Sequence, residues 1–443
     1  MGDRALAAVI DIGTYGALSP VPSVRPRQVA AVAVGNALEF YDFLTYAFFA
    51  AQIGRTFFPS TDPASSLLAS LATFGAGFLM RPVGAAVIGR IGDRFGRKPA
   101  MLLSFALMGL AMVGLALTPG YAVIGKFAPA LAILCRLVQG FALGGEVGPS
   151  TAFLIEAAPP RRRGFYVSLQ FMSQDLAVLG SGLVGFGLSS LLSDAALDVW
   201  GWRAAFLLGA VIVPFGLMLR RQLAETLHAS AANPAAALYR APPVGLIVVL
   251  GLAMLTGGTV VTYVLTYLTT YASSTLHMPT RLSFLPTVAM GLTGVFFAPL
   301  GGWLGDRFGR KRVMLIPWAA LLFIAVPGFY LVIHERTVVA LVGLAVACRM
   351  MSAMAFPAVL VAVAESLPVR TRSGGIGLVY AFAISVFGGT TQFAVAWLTG
   401  VTGSPLTPGW YMTGAVAIGL AAMLFLPETA PVKLAPQPAA ARD

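Results

Sequence analysis

Charge is what this chain has least of. Asp, Glu, Lys and Arg make up 10% of its 443 residues, against 58% hydrophobic, and the mean hydropathy is +0.84. A soluble globular chain carries about 25% charged residues, so a water-facing surface is excluded here. Cysteine is scarce too. Cys135 and Cys348 fall inside apolar runs with nothing spaced like a metal site around them, which excludes a disulfide framework or a zinc module. His228, His277 and His334 lie between apolar runs, so no buried His pair is available for a metal or a proton relay. No Gly-x-x-x-x-Gly-Lys-Ser/Thr loop occurs, so nothing supports ATP drive. The first 27 residues hold Asp3, Asp11, Pro20, Pro22 and Pro26 with no apolar core before a small-residue cleavage site; a removable leader is not expected. No metal and no cofactor are expected either.

Apolar length is what the chain does have. The 49 Gly and 29 Pro are spread through it, as in membrane helices, and not in a repeat of their own. A spanning helix needs roughly 20 apolar residues. Twelve runs fit: 29–52, 67–91, 99–118, 127–156, 165–192, 203–220, 243–272, 283–304, 312–333, 337–364, 374–400 and 409–427. The expected fold is all-α and polytopic, with twelve transmembrane helices, referred to below as spans 1 to 12. A polar stretch at 221–242 divides a six-helix bundle at 29–220 from a second at 243–427, between tails at 1–28 and 428–443.

The net charge of +12 reads as orientation charge rather than as an affinity for nucleic acid. Alternate loops take most of the Lys and Arg, in groups such as Arg90, Arg94, Arg97 and Lys98, or Arg307, Arg310, Lys311 and Arg312. The other loops hold only Arg55, Lys126, Arg203, Arg281 and Arg336. Cytoplasmic loops carry the excess of basic residues, which puts both termini and the central linker in the cytoplasm.

The two halves resemble each other. Gly89-Arg90-Ile91-Gly92-Asp93-Arg94-Phe95-Gly96-Arg97-Lys98 returns 213 positions later as Gly302-Trp303-Leu304-Gly305-Asp306-Arg307-Phe308-Gly309-Arg310-Lys311, and the same shift carries Cys135-Arg136 onto Cys348-Arg349. Glu156-x-x-Pro159-x-Arg161-x-Arg163 matches Glu365-x-x-Pro368-x-Arg370-x-Arg372 at a shift of 209. Two related halves with a midplane site between them are the architecture of a secondary transporter.

Ionisable residues within spans are costly, roughly 2.5–3.5 kcal/mol each on insertion scales, and mark function. Glu39 and Asp42 share a face of span 1 with Asn36, Phe43 and Tyr46. Burial disfavours a charged carboxyl, so such a pair is expected to take up and release protons. Glu146 extends the Arg136–Gln139 stripe of span 4, and Asp175 joins Gln170 and Gln174 on span 5. Arg81, Arg136 and Arg349 come from both halves, and a guanidinium fork matches a carboxylate. Together they suit an anion with several carboxylates; the competing reading pairs each Arg with an intramembrane acid as a structural ion pair. Span 7 presents Thr259, Thr262, Tyr263, Thr266, Tyr267 and Thr270 at helical spacing, and Tyr380, Ser385 and Gln392 form a weaker polar set on span 11. These hydroxyls line a cavity or hold helices together. The many Phe read as lipid-facing or core residues. Asp93 and Asp306 are suited to accept from helix-start N–H groups. With Gly89, Arg94, Gly96, Arg97, Lys98, Gly302, Arg307, Gly309, Arg310 and Lys311 they form candidate gating loops; the competing reading is plain orientation charge.

The loop pattern Gly-x-x-x-Asp-Arg-x-Gly-Arg-Lys, present twice, resembles that of the major facilitator superfamily. Within it, Gly35-Asn36-x-x-Glu39-x-Tyr41-Asp42-Phe43, Gly77-Phe78-x-x-Arg81-Pro82-x-Gly84 and Arg136-x-x-Gln139-Gly140-x-x-x-Gly144-x-Glu146 resemble the metabolite–proton symporters. Thr73-Phe74-Gly75-Ala76-Gly77-Phe78-Leu79-Met80-Arg81-Pro82, Arg163-Gly164-Phe165-Tyr166 and Ser385-Val386-Phe387-Gly388-Gly389 are similar to the bacterial citrate and tricarballylate symporters. The resemblance runs from about residue 28 to about 428. It implies proton-coupled symport of a di- or tricarboxylate by alternating access, by a monomer in contact with lipid and with no catalytic activity. Asp175, Arg349 and Pro357 depart from the citrate-type pattern. Span 5 reads Gly180-Ser181-Gly182-Leu183-Val184-Gly185, without the Gly-Pro pair of the drug antiporters. Other cargo of the same family, such as 2-oxoglutarate, shikimate, proline or betaine, stays open; a betaine carrier is disfavoured by the short Ala/Pro tail after Pro427-Glu428-Thr429, where such carriers have a long charged coiled coil. A membrane enzyme or sensor would need a catalytic cluster or an output domain, and the sequence offers neither.

Overall fold

The computed structural model describes residues 36–37, 40–95, 97–144, 154, 158–221, 243–367 and 379–434. Among them, nine helices are long and apolar enough to cross a membrane, and Leu102–Leu117 adds a shorter apolar stretch. Span 1 runs over 40–48 and, past a turn at Phe49, over Ala50–Phe57. Span 2 is two helices, Pro63–Leu79 and Arg81–Phe95. Pro82 lacks the N–H that would bond the Phe78 carbonyl, and the helix breaks between them at Met80. Spans 3 to 6 are Arg97–Leu117, Phe127–Gly144, Arg163–Leu191 and Trp202–Arg221. Spans 7 to 10 are Val244–Ser274, Leu285–Phe308, Arg310–Glu335 and Val338–Ser366. Span 11 is Val379–Thr402, with a π-turn at Ile384–Gly388, and span 12 is Thr407–Phe425.

Start signals in the sequence set several of these ends. Asp62 accepts hydrogen bonds from the backbone N–H groups of Ala64 and Ser65 and from the Ser65 hydroxyl, with Pro63 at the first helical position. That is the N-cap arrangement that satisfies orphan donors. Between spans 8 and 9, Gly309 takes φ of 106°, which only glycine adopts without strain. The chain thereby reverses within a single residue.

Contacts group the helices into the two halves that the repeat implies. Spans 2, 3, 4 and 6 pack together, as do spans 7, 8, 9, 10 and 12. Across the divide the dominant contacts are span 5 with span 8 and span 2 with span 11, which interchange under a six-helix shift. Small residues permit this closeness: Gly75 meets Gly389 backbone to backbone, and Gly164 meets Gly302. The outward face carries exposed large apolar side chains such as Leu110, Phe127, Val211, Phe296, Phe323 and Phe425. In water such a girdle would aggregate; hydrocarbon is its natural solvent.

Candidate functional site

A cavity of about 60 Å³ lies between the halves. Span 1 gives it Phe40 and Phe43, span 5 Gln174 and Asp175, span 7 Thr262, Tyr263 and Thr266, and span 10 Arg349 and Pro357. Pro357 has no N–H, so the carbonyl of Ala353, one turn back and also in the wall, loses its helical donor.

Two opposite charges meet here from opposite halves. Arg349 Nη2 lies 2.6 Å from Asp175 Oδ2, to which it donates, and 2.5 Å from Oδ1. The hydrogen bond goes to Oδ2 and the approach to Oδ1 is an ion-pair contact; neither Oδ1 nor Arg349 Nε has a hydrogen-bond partner among the described residues. The Asp175 carboxylate is sealed at 1% exposure while Arg349 keeps 14%. Span 8 makes room for it: a Cβ at Gly294 would overlap the Asp175 carboxylate. For this Arg, the ion-pair alternative raised by the sequence is the geometry present.

Arg81 and Arg136 lie elsewhere. The Arg81 guanidinium stands 4.2 Å from the Phe78 ring centroid and 5.0 Å from that of Phe43, beside the phenols of Tyr263 and Tyr380. Its Nε and Nη2 lack partners among the described residues. Phe43 and Tyr263 themselves line the cavity, so Arg81 is one aromatic layer behind the wall. Arg136 is deeper, 1% exposed. It is boxed by Tyr46 at 4.4 Å and by Phe43 and Phe74 at 5.2 Å each. Arg136 Nη1 donates to Gln139 Oε1, and Gln139 Nε2 donates to Asp42 Oδ1 at 3.3 Å. Asp42 is fully buried, and its Oδ2 has no partner among the described residues. The sequence thus brings one of three Arg to the cavity, not three. Phe43, Phe74 and Phe78 are core residues, as the sequence reading has it, and they also cage the guanidinium groups, where cation–π attraction compensates lost hydration. Their signal was spacing, since Phe74, Phe78 and Arg81 fall on one helical face.

The other candidates sort similarly. Gln174 and Tyr263 line the cavity. Asn36, Gln170, Tyr267 and Gln392 are buried outside its wall. Asn36 ties span 1 to span 5, donating to Ser173 Oγ at 2.8 Å and to the Gln170 carbonyl; it faces a different neighbour from Asp42, although both belong to the stripe read on span 1. Tyr267 lies 6.4 Å from Tyr271, ring centre to ring centre, with the rings tilted. Gln392 has neither side-chain polar atom partnered among the described residues. Glu39 and Glu146 fall outside the described residues.

At one end of the molecule the second loop motif forms an ionic cluster. Asp306, near the end of span 8, accepts from the backbone N–H groups of Gly164 at 2.9 Å and Phe165 at 2.8 Å, the first turn of span 5. It also accepts from Arg310 Nη1 at 2.6 Å. Arg310 is fully buried and lies 3.5 Å from Glu365, which Arg163 approaches at 3.9 Å. Glu428, which the sequence reading passed over, accepts from the N–H groups of Arg310 and Lys311 and caps span 9. Lys311 Nζ donates to the Leu424 carbonyl. Gly302 and Gly309 supply the close approach and the reversal, and Arg307 lies over the Trp303 and Phe308 rings. In the first motif copy Gly89 stands in open space and Arg94 packs against Phe95. Gly96 and the side chains of Asp93, Arg97 and Lys98 lie outside what is described.

Comparison with known proteins agrees with this architecture. Residues 28–229 match the family model for sugar (and other) transporters, and residues 282–442 match that of the Major Facilitator Superfamily. The citrate-proton symporter of Klebsiella pneumoniae is 34% identical over 415 residues, covering 93% of this chain and 94% of that protein. The alpha-ketoglutarate permease of Escherichia coli (strain K12) is 34% identical over 409 residues, covering 91% and 94%. The proline/betaine transporter of the same organism is 33% identical over 427 residues, covering 91% and 84%. Among solved structures, a D-xylose-proton symporter superposes with a TM-score of 0.73 at 19% identity, covering 91% of this chain and 98% of that one. Helix order, the duplicated loop motif and these likenesses converge: the chain is a multi-pass transporter of the major facilitator superfamily and belongs to its metabolite–proton symporter family.

Proposed function

We propose that the protein carries a di- or tricarboxylate, such as citrate or tricarballylate, together with protons across a bacterial inner membrane by alternating access. The observation that carries this reading is Arg349, a guanidinium in the wall of a cavity between the halves with part of its fork unengaged. A planar fork in a low-dielectric site selects carboxylates. Arg81, with two unpartnered nitrogens one ring behind, is the second anchor, reached as Phe43 and Phe78 turn aside. Arg136 has a positioning role, holding Gln139 and through it Asp42. The proton carriers are drawn from Glu39, Asp42, Glu146 and Asp175. The Lys and Arg bias of alternate loops supports cytoplasmic termini, which makes the Asp306 cluster a cytoplasmic latch. The names of the citrate and alpha-ketoglutarate relatives support the cargo class.

A second reading has support of its own. Phe40, Phe43, Phe171, Tyr263 and Phe356 line the cavity, and aromatic walls suit the quaternary ammonium of a betaine; one relative is named a proline/betaine transporter.

The test is uptake of labelled citrate by proteoliposomes under an imposed pH gradient, acid outside. Accumulation should follow the gradient, collapse with a protonophore, and be competed by tricarballylate, aconitate and 2-oxoglutarate but not by proline. Competition by proline alone would replace this cargo with the zwitterion.

A further inference from the structure

Asp175 and Arg349 bring opposite charges together across the cavity, one from each half. Both residues sit in the cavity wall, so the contact stands where a substrate would enter. Span 8 is shaped to it, because Gly294 leaves a notch that any Cβ would fill and the Asp175 carboxylate occupies. Among the described residues the guanidinium is engaged through Nη2 alone. A buried ion pair that loses one partner leaves an uncompensated charge, which is strongly unfavourable. A substrate carboxylate can therefore take Arg349 only if Asp175 becomes neutral in the same event.

We propose that Asp175 is an internal stand-in for the substrate, and that a substrate carboxylate and Asp175 exchange places on Arg349, with one proton taken up by Asp175 per carboxylate bound. This rests on the reading that the cargo bears a carboxylate. A proton from external water bonds to Asp175 Oδ2, the Nη2···Oδ2 hydrogen bond breaks, and the incoming carboxylate accepts from Arg349 instead. After the halves rock, the substrate leaves, the proton passes to water on the far side, and Asp175 returns to Arg349. Arg349 faces one carboxylate in both states, so its charge is compensated throughout. Proton and substrate are thereby coupled at a single guanidinium. The exchange demands one carboxylate and leaves the rest of the substrate free.

The groups around Asp175 are few. Span 10 presents Arg349, span 7 lines the same cavity with Tyr263, whose phenol lies beside Arg81, and span 11 presents Tyr380 against Gln174, while Arg203 of span 6 donates to the Ala116 and Thr118 carbonyls. Span 8 faces it with Met290 and Gly294; its charged residues Asp306 and Arg307 lie at the far end of the helix. The short helix Thr280–Ser283 carries Arg281, exposed at the opposite end from them. On span 1, Tyr41 donates to the Ala205 carbonyl of span 6 and Asp42 turns to Gln139. Glu39, beside Phe40, lies outside the described residues and is controlled by mutation.

The experiment measures binding of citrate, 2-oxoglutarate and proline to the purified full-length protein across a pH series, with proton uptake read from buffers of differing ionisation enthalpy. For a probe that binds, wild-type affinity should fall about tenfold per pH unit on the alkaline side, the slope of one linked proton. Asp175→Asn should abolish that slope, take up one proton fewer per probe bound, and keep counterflow while losing gradient-driven accumulation. Arg349→Lys should keep the slope at lower affinity. A slope that survives Asp175→Asn, or that vanishes in Glu39→Gln and not in Asp175→Asn, overturns the exchange. If Asp175→Asn does not fold, Asp175→Glu decides: a slope displaced along the pH axis upholds the exchange, and a slope unchanged from wild type overturns it. Proline as the sole probe with an Asp175-dependent slope refutes the polycarboxylate cargo and upholds the exchange. A folded wild-type that binds none of the three overturns both.

Discussion

Each of the three intramembrane arginines has its charge compensated differently. Arg349 has a carboxylate, Arg81 has aromatic faces and phenols, and Arg136 has a glutamine and three rings. Residue type and depth were legible in the sequence; which compensation each one found was not. That choice depends on neighbours far along the chain, such as Asp175 for Arg349. The caged geometry makes Arg136 specific to its shape. Arg136→Lys keeps the charge but loses the planar face and the Nη1 hydrogen bond to Gln139, and should lower stability by about 2 kcal/mol, the range of a hydrogen bond to a charged group. Because Arg136 does not line the cavity, KM should move by less than about twofold, well under the tenfold that 1.4 kcal/mol of lost substrate contact would give. Thermal unfolding in detergent and uptake kinetics check the two halves of this prediction.

Elements follow local rules that the sequence states openly. Asp62-Pro63 opens span 2, Pro82 breaks it, and Gly309 turns the chain from span 8 to span 9. The Ser65 hydroxyl, then the N–H groups of Ala64 and Ser65, hold the Asp62 carboxyl below the usual carboxylate range. A carboxyl depressed in the folded state stabilises it above its unfolded pKa and loses that contribution as pH falls through the folded value. Amide hydrogen exchange at Ala64 and Ser65 should therefore accelerate on acidification relative to an Asp62→Asn variant at the same pH. A ratio independent of pH would contradict the cap. The helix break at Met80 and the π-turn at Ile384–Gly388 flank the Arg81 region. Of these, only the first had a sequence signal, in Pro82. The π-turn places one extra residue in a helix without any residue type that announces it.

For the whole molecule, spans 5 and 8 at one seam and spans 2 and 11 at the other join the halves. The duplicated loop motif closes one end of the first seam. Asp306 holds the start of span 5 through two backbone donors, where helix-dipole and hydrogen-bond terms add. Asp306→Asn should weaken this contact and shift the equilibrium towards the form open at that end by roughly tenfold, within the usual range of coupling energies. Labelling of a cysteine introduced by Ala353→Cys, in a background without Cys135 and Cys348, reports the shift. An unchanged labelling rate would reduce the motif to orientation charge.

Apolar run length, loop charge and a repeat offset are sums over many residues, so no single side chain can mislead them. They determined the all-helical membrane fold, the two related halves and the transporter class. Position within the bundle is another matter. Arg81, Arg136 and Arg349 look alike along the chain, and only tertiary packing set one against the cavity and the others behind aromatic rings. The notch at Gly294 and the pairing of Asp175 with Arg349 exist only because spans 5, 8 and 10 approach within contact distance. Spacing within a helix fixes which face a residue takes, but not which neighbour that face meets.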